Sequence, residues 1–381
     1  ERSKAILTFP VVTAAMLIND GKPVDVEFTD MCAKELSEGN SFFIYQSESA
    51  DSLASCCRLR SEISDNTFSY SLGAGGVATG SINVITLNMN RLVQQGANIV
   101  EEVKKIHKYQ AAYRKLIEEY EKAGLLPVYK AGFIALDKQF LTIGINGMVE
   151  AAESLGIKVG NNKEYKDFVN KHLKVIYDEN KLAKKHYGYM FNTEFVPAEN
   201  LGIKNAKWDK QDGLFVPRDC YNSYFYKVED QQTNTLDKII LHGKEIIKYL
   251  DGGSALHLNL EEAPNKDGFI KLIHATAMAG CNYFCFNIKI TICNDCNAID
   301  KKTNYICTSC GSTNIDHATR VIGYLKRVSS FSSGRQNEHQ LRHYHIEKTS
   351  NKLADIRANA ITKFQQHQEQ EQENQEVYIL K

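Results

Sequence analysis

The chain has no surplus of charge of either sign: lysine plus arginine number 46 and aspartate plus glutamate 46, a formal net charge of zero at neutral pH. Without a net field there is no general attraction to nucleic acid or to an anionic membrane, which counts against a polyanion binder. Its first apolar run, within Glu1-Arg-Ser-Lys-Ala-Ile-Leu-Thr-Phe-Pro10, is too short and too interrupted for a signal peptide or a membrane span. It also lacks an initiator Met, and the expectation is a chain that begins mid-protein. The glycine-rich stretch 73–80, Gly-Ala-Gly-Gly-Val-Ala-Thr-Gly, lacks the Gly-Lys-Ser/Thr ending of a phosphate-binding P-loop, so it reads better as a close backbone approach than as a nucleotide cradle. There is no internal repeat.

What is present suits a globular protein. With 381 residues, 43% of them apolar and 10% aromatic, the chain can bury the core of one large α/β domain or two smaller ones. Residues 5–17 and Phe42 to Tyr45 read as strands around the turn Asn19-Asp20-Gly21-Lys22-Pro23, and Ile82 to Leu87 as a buried strand. Helical periodicity runs from 91 to 124 through Leu92, Ile99, Val103, Ile106, Tyr109 and Leu116, and returns from 164 to 184. Further strand-like runs cover Phe133 to Leu136, Ala255 to Leu260 and Tyr283 to Ile292. Strands separated by long helices predict α/β layering with parallel strands. His242, His257 and His274 lie in apolar or mixed segments and read as core histidines. The tail from Ile346 turns polar, with a Gln/Glu-rich run at 365–376, and is expected to be disordered or a lone solvated helix without a catalytic role.

Ten cysteines without a secretory signal point to a reducing compartment, here the cytoplasm, where close pairs mean metal or catalysis more than disulfides. Cys293-Asn-Asp-Cys296 and Cys307-Thr-Ser-Cys310 are two such pairs, ten residues apart. Each turns two sulfurs toward one point, and four thiolates make a closed tetrahedral Zn²⁺ site that stiffens structure and does no chemistry itself. Ten residues further lies Arg320-Val-Ile-Gly323-Tyr324. By itself that is most simply a glycine in a turn. The knuckles upstream reverse the preference.

Arg320-Val-Ile-Gly323-Tyr324 resembles the closing signature of glycyl radical enzymes, and the preceding four cysteines make the combination similar to the anaerobic, class III ribonucleotide reductases. Tyr324-Leu-Lys-Arg-Val-Ser-Ser-Phe331 and Gly334-Arg-Gln-Asn-Glu-His339 continue the likeness. So do Ser55-Cys56-Cys57-Arg58-Leu59, Ser81-Ile-Asn-Val-Ile-Thr-Leu-Asn88, Ile143-Gly-Ile-Asn-Gly147, Pro197-Ala198-Glu199 and Lys204-Asn-Ala-Lys-Trp-Asp209, over residues 5 to 345 or so. The resemblance implies that Gly323 stores a backbone radical and that a cysteine relays it; Cys57, directly before Arg58, matches the thiyl position, with Cys56 its neighbour. It implies a ten-stranded α/β barrel, with residues 1–285 as its C-terminal part including the cysteine finger, 286–345 as a zinc-ribbon and glycyl radical domain, and 346–381 as the tail.

It further implies reduction of ribonucleotides, as triphosphates, to deoxyribonucleotides for DNA synthesis. Partners would be the nucleotide and an activating enzyme that uses S-adenosylmethionine and an iron-sulfur cluster. The N-terminal half, absent here, carries the allosteric sites, and the complete protein is a homodimer. Formate is the expected reductant, with Ser81 in the place of the family's Asn and Asn83 the nearby alternative. Pro197, Ala198 and Glu199, like the glycine-rich loop, either present amides to the polyphosphate or are a plain helix start and turn. Two rivals remain. An adjacent Cys-Cys pair also serves acyl transfer in enzymes of the pyruvate formate-lyase type, which have no zinc knuckles before the glycine. A zinc-ribbon interaction module would carry a smaller, more basic body.

Overall fold

Strand and helix alternate along the chain in the computed structural model, which describes residues 11–48, 52–54, 60–62, 78–196, 200–320 and 323–345. Strand β1 (Thr13–Asn19) turns at Asp20 and Gly21, both at positive φ, leads through helix α1 (Val26–Ser37) to β2 (Phe43–Ser47), and lies parallel to it. Strands β3 (Ala78–Asn88), β4 (Ile134–Asn146) and β5 (Met190–Phe195) form a parallel sheet linked by helices α2 (Ile99–Lys122) and α3 (Lys163–Tyr187). Strands β6 (Leu256–Asn259) and β7 (Tyr283–Asn287), with helix α4 (Lys266–Ala279) between them, are parallel too. A parallel bridge from Glu194 of β5 to Gly253 leads toward β6, while β7 pairs antiparallel with β2. Thus β3 to β7 run one way and β1 and β2 the other. Parallel α/β layering is what the alternation of elements predicts.

Helix ends follow local chemistry. Asn98, Asn162 and Asn265 accept from backbone amides of the first turns of α2, α3 and α4. Gly188 and Gly280, both left-handed, end α3 and α4. The periodicity at 91–124 divides into Met89–Gln94 and α2, because Gly96 at φ +60° stops one helix and Asn98 starts the next.

Side chains alternate across the strands. Ile143, Ile145, Phe195, Leu256, Leu258, Phe284 and Phe286 face the helices and share the main core with α1 to α4. Phe43, Tyr45, Ala255, Tyr283 and Cys285 form a second cluster.

Two strand expectations need correction. The run Phe133 to Leu136 leads into a strand that starts at Ile134 and continues to Asn146: Ile134 pairs with Ala78, the ladder resumes past a register shift at Gln139 opposite Gly80, and from Phe140 both edges are paired. The run Tyr283 to Ile292 is two strands. After Ile288-Lys289, strand β8 (Ile290–Cys293) leaves the parallel set for an antiparallel sheet with β9 (Ile299–Asp300), β10 (Ile315–Arg320) and β11 (Leu325–Arg327), in the order β9-β8-β10-β11. Its core is small: Ile290, Ile292, Ala318 and Leu325, with Ile299 beside them. His242 and His257 are buried, as core histidines should be, and His274 is half-buried. The described residues group as one compact unit. Residues 346–381, the first ten residues and 73–77 of the glycine-rich loop lie outside the described residues; Ala78-Thr79-Gly80 belong to β3.

Candidate functional site

The four knuckle cysteines converge. Cys293 ends β8, and the sulfurs of Cys293, Cys296, Cys307 and Cys310 all lie within 4.8 Å of one another. Cys293 Sγ is 3.6 Å from Cys310 Sγ, and Cys296 Sγ is 3.6 Å from Cys307 Sγ. Four sulfurs bound tetrahedrally at about 2.3 Å from one ion sit about 3.8 Å apart, so the cluster has the dimensions of a Zn²⁺ site.

Both knuckles are built alike. The amide of Cys293 donates to Ala298 O and that of Asn297 to Cys293 O, while the amide of Cys307 donates to Ser312 O and that of Gly311 to Cys307 O. In each, the residue after the second cysteine, Asn297 at φ 59° or Gly311 at φ 75°, adopts the left-handed conformation that brings the chain round. Amides of Cys310 and Ser309 pull the Cys307 thiol down to about 6. For Cys310 the Ser312 amide favours the thiolate, but the Cys296, Cys293 and Cys307 sulfurs outweigh it and push the thiol up to about 12. Crowded thiols cannot all ionise unless a cation joins them, which is what a thiolate-bound metal supplies.

Gly323 is buried at the tip of the β10–β11 hairpin, between Arg320 and its partner Leu325. Arg320, itself only 2% exposed, curls under that tip. Its Nη1 donates to Gly323 O at 2.8 Å and its Nη2 to Ser41 Oγ at 3.0 Å, and the guanidinium carbon stands 4.6 Å from the centre of the Phe43 ring. Phe43 in turn stacks on Tyr283 at 4.7 Å. Buried hydrogen bonds fix the strand feeding the tip: Asn287 Oδ1 accepts from Thr319 Oγ1 at 2.8 Å and from the Arg320 amide at 3.2 Å, while Asn287 Nδ2 donates to Asn259 at 2.8 Å.

Helix α5 (Ser333–Leu341) closes the arrangement. Arg342, just after it, donates from Nη1 to Arg320 O at 2.9 Å and grips buried Glu338 through Nε and Nη2, both at 2.8 Å. Arg335 adds a contact of 3.3 Å to the same carboxylate. Burial opposes the charge on Glu338, but the two guanidiniums prevail and hold its carboxyl below the usual range. The backbone of His345 then pairs with Asn259 and Glu261 beside β6. Register places the cysteines and Gly323 at opposite ends of one sheet. Cys293 pairs with Ile315, five positions from Arg320 along β10, about 17 Å at about 3.4 Å per residue.

On β3, Ser81 Oγ lies 2.7 Å from Thr142 Oγ1, which donates to Asn192 Oδ1 at 2.7 Å, so one polar ladder crosses β3, β4 and β5. Asn83 lies across a register shift from Ser81, and among the described residues its buried Oδ1 has no hydrogen-bond partner, nor does Nδ2 of Asn192. Cys57, its neighbour Cys56, and Pro197, Ala198 and Glu199 lie outside the described residues. The residue reading missed Thr142, Asn192, Ser41 and Asn287. The faint signals were a threonine within the apolar stretch Leu141-Thr-Ile143 and an asparagine closing Phe284-Cys-Phe-Asn287.

Comparison with solved structures gives first the class. The chain resembles a glycyl radical enzyme from Archaeoglobus fulgidus with TM-score 0.52 and 13% identity, over 88% of this chain and 53% of that one, a likeness of fold alone. An anaerobic ribonucleotide reductase structure matches with TM-score 0.78 and 30% identity, over 91% of this chain and 56% of that one. The anaerobic ribonucleotide reductase from Thermotoga maritima, in complex with dATP and CTP, matches with TM-score 0.73 and 30% identity, over 88% and 56%. A family model described as anaerobic ribonucleoside-triphosphate reductase matches residues 1–345, and the chain belongs to that family. It spans little more than half the length of these solved relatives. No curated protein matches.

Proposed function

We propose that this chain forms the radical-storing and hydrogen-relay part of an anaerobic ribonucleotide reductase, with Gly323 as the radical residue and Cys57 as the relay. The observation that carries this is the setting of Gly323: a buried hairpin tip whose carbonyl is held by Arg320, on a sheet whose far end bears four clustered sulfurs. A backbone radical cannot travel to substrate, so a thiol must carry the hydrogen atom. Cys57 gives its hydrogen to Gly323, and the resulting thiyl takes the ribose 3′ hydrogen. The 2′ hydroxyl then leaves as water, and a reductant supplies electrons. Hydrogen returns to C3′, and Cys57 recovers its own from Gly323. Substrate is a ribonucleoside triphosphate, with formate as reductant and Ser81 and Asn83 near it. Pro197, Ala198 and Glu199 serve the polyphosphate.

Cys293, Cys296, Cys307 and Cys310 hold Zn²⁺, which with four protein ligands has no open position and acts as a structural tie. The first radical comes from an activating enzyme whose S-adenosylmethionine and iron-sulfur cluster belong to that partner. The remaining barrel strands and the effector sites come from an N-terminal portion, and the complete protein is a cytoplasmic homodimer. Among the described residues no helix is long and apolar enough to cross a membrane.

The test is anaerobic activation of the chain together with that N-terminal portion. A doublet organic radical signal, deoxynucleotide product, and loss of both in Gly323→Ala are expected. Acyl-CoA formation without deoxynucleotide would make it a lyase instead. No radical, with Gly323→Ala behaving as wild type, would leave a zinc-ribbon module. Co-purification with a second polypeptide checks the split.

A further inference from the structure

A stable carbon radical on a peptide glycine needs help from both sides: the amide nitrogen donates electron density and the carbonyl withdraws it. Withdrawal strengthens when a positive group hydrogen-bonds to the carbonyl oxygen, because that favours the dipolar form with negative charge on oxygen and the unpaired electron on the amide nitrogen. At Gly323 such a group is in place. Arg320 Nη1 lies 2.8 Å from the carbonyl oxygen, and the side chain is removed from water that would dilute its field.

What Arg320 lacks is as telling. A buried guanidinium ordinarily pairs with a carboxylate. Among the described residues the acceptors of Arg320 are the Gly323 carbonyl and the Ser41 hydroxyl, both neutral, and its Nε has no hydrogen-bond partner. Phe43 offers a ring face at 4.6 Å. The neighbouring buried arginine is satisfied differently: Arg342 takes both oxygens of Glu338. A carboxylate on Arg320 would neutralise the field at the glycine, whereas a hydroxyl and a ring hold the cation without doing so.

We infer that Arg320 is a positioning residue for radical storage: its guanidinium, hydrogen-bonded to the Gly323 carbonyl, draws electron density onto that oxygen, spreads the unpaired spin off Cα, and so deepens the well in which the radical rests. The inference rests on the proposed radical role of Gly323. In that step the Gly323 Cα–H bond breaks homolytically, hydrogen leaves with one electron to the abstracting carbon radical of the activating enzyme, and one unpaired electron stays on Cα. Arg320 takes part in no bond change; it alters where that electron resides.

The test is electron paramagnetic resonance of the activated protein, made with arginine labelled with ¹⁵N. A doublet from wild type shows that the radical role of Gly323 stands, and its absence removes that role and this inference with it. Given the doublet, electron-nuclear double resonance is expected to show coupling to an arginine ¹⁵N. No coupling overturns the inference, and this measurement needs no variant. In Arg320→Gln with full zinc content, the Cα–H splitting should widen and the radical should decay roughly tenfold faster in the presence of thiol, on the scale of one charge-assisted hydrogen bond. Arg320→Lys, with a single-point donor, should recover part of the narrowing. An unchanged splitting and lifetime in Arg320→Gln would refute the role.

Discussion

Replacing Glu338 by glutamine removes one charge from a buried cluster and keeps its shape. In the folded protein Glu338 uses both oxygens, one on Arg342 Nε at 2.8 Å and the other on Arg342 Nη2 at 2.8 Å and Arg335 Nη1 at 3.3 Å. The substituted amide offers one oxygen and turns two N–H donors toward guanidiniums that can only donate. Breaking a buried ion pair by removing one partner costs about 3–5 kcal/mol. Against a typical domain stability of about 5–15 kcal/mol that is a large share. Urea denaturation of the zinc-bound Glu338→Gln protein, followed by circular dichroism, should show a lower midpoint with little change in slope.

The pH dependence adds a signature. Glu338 has a folded pKa below its unfolded one, so its contribution is fully present above the unfolded value of about 4.3 and is lost as pH falls through the lowered one. Stabilities of wild type and variant should therefore converge in acid. Because Arg342 also holds the Arg320 carbonyl, amide exchange around 323–327 should quicken in the variant while strands β3 to β5 keep their protection. A loss under about 1 kcal/mol at neutral pH, or one that does not shrink in acid, would refute the assignment of this cluster as the brace of the hairpin.

Three further outcomes are expected. Cys293→Ser or Cys310→Ser should lose zinc, measured by atomic absorption, and fail to accept a radical at Gly323 while most of the parallel strands stay folded; a zinc-free variant activated in full yield would separate the metal from the loop. Oxygen admitted after activation should cleave the backbone at Gly323, and mass spectrometry should find a piece spanning the residues beyond it; an intact chain after exposure would mean that the radical is elsewhere. Burial, with Lys238 and Arg342 as cationic neighbours, depresses His345 to about 3 and His339 to about 4, so both are neutral when folded. The stability they contribute is fully present above the unfolded histidine value of about 6.5 and is lost as pH drops toward those lower values, so a thermal midpoint that holds steady from pH 7 to 5 would contradict their burial.

Much of this protein is local in the sequence. The knuckle spacing, the glycine after Arg320-Val-Ile, the asparagine caps and the glycine stops are short-range patterns, and short-range geometry is what such patterns encode. The Cys293 and Cys307 turns make the point: each closes on its own hydrogen bonds within five residues, so sequence spacing sufficed to find them. Less legible were the strand that survives Asp137-Lys138-Gln139 and the break at Ile288-Lys289, since hydrogen bonding to neighbours far along the chain decided both.

What the sequence by itself determined is therefore the inventory: four thiols able to meet at one point, a glycine in the signature of a radical residue, and helices alternating with strands. Only the tertiary structure decided their relations. It put the sulfurs about 17 Å along β10 from Arg320, so that a metal there would act on Gly323 through the sheet and not by contact. It joined Ser81, Thr142 and Asn192 into one ladder across three strands. It brought Arg320 to Ser41, 279 residues away, and laid its guanidinium on the carbonyl of Gly323. The physical reason is that partners at such separations are chosen by strand pairing and core packing, which depend on the whole chain at once, whereas turns, caps and metal knuckles depend on a handful of neighbouring residues.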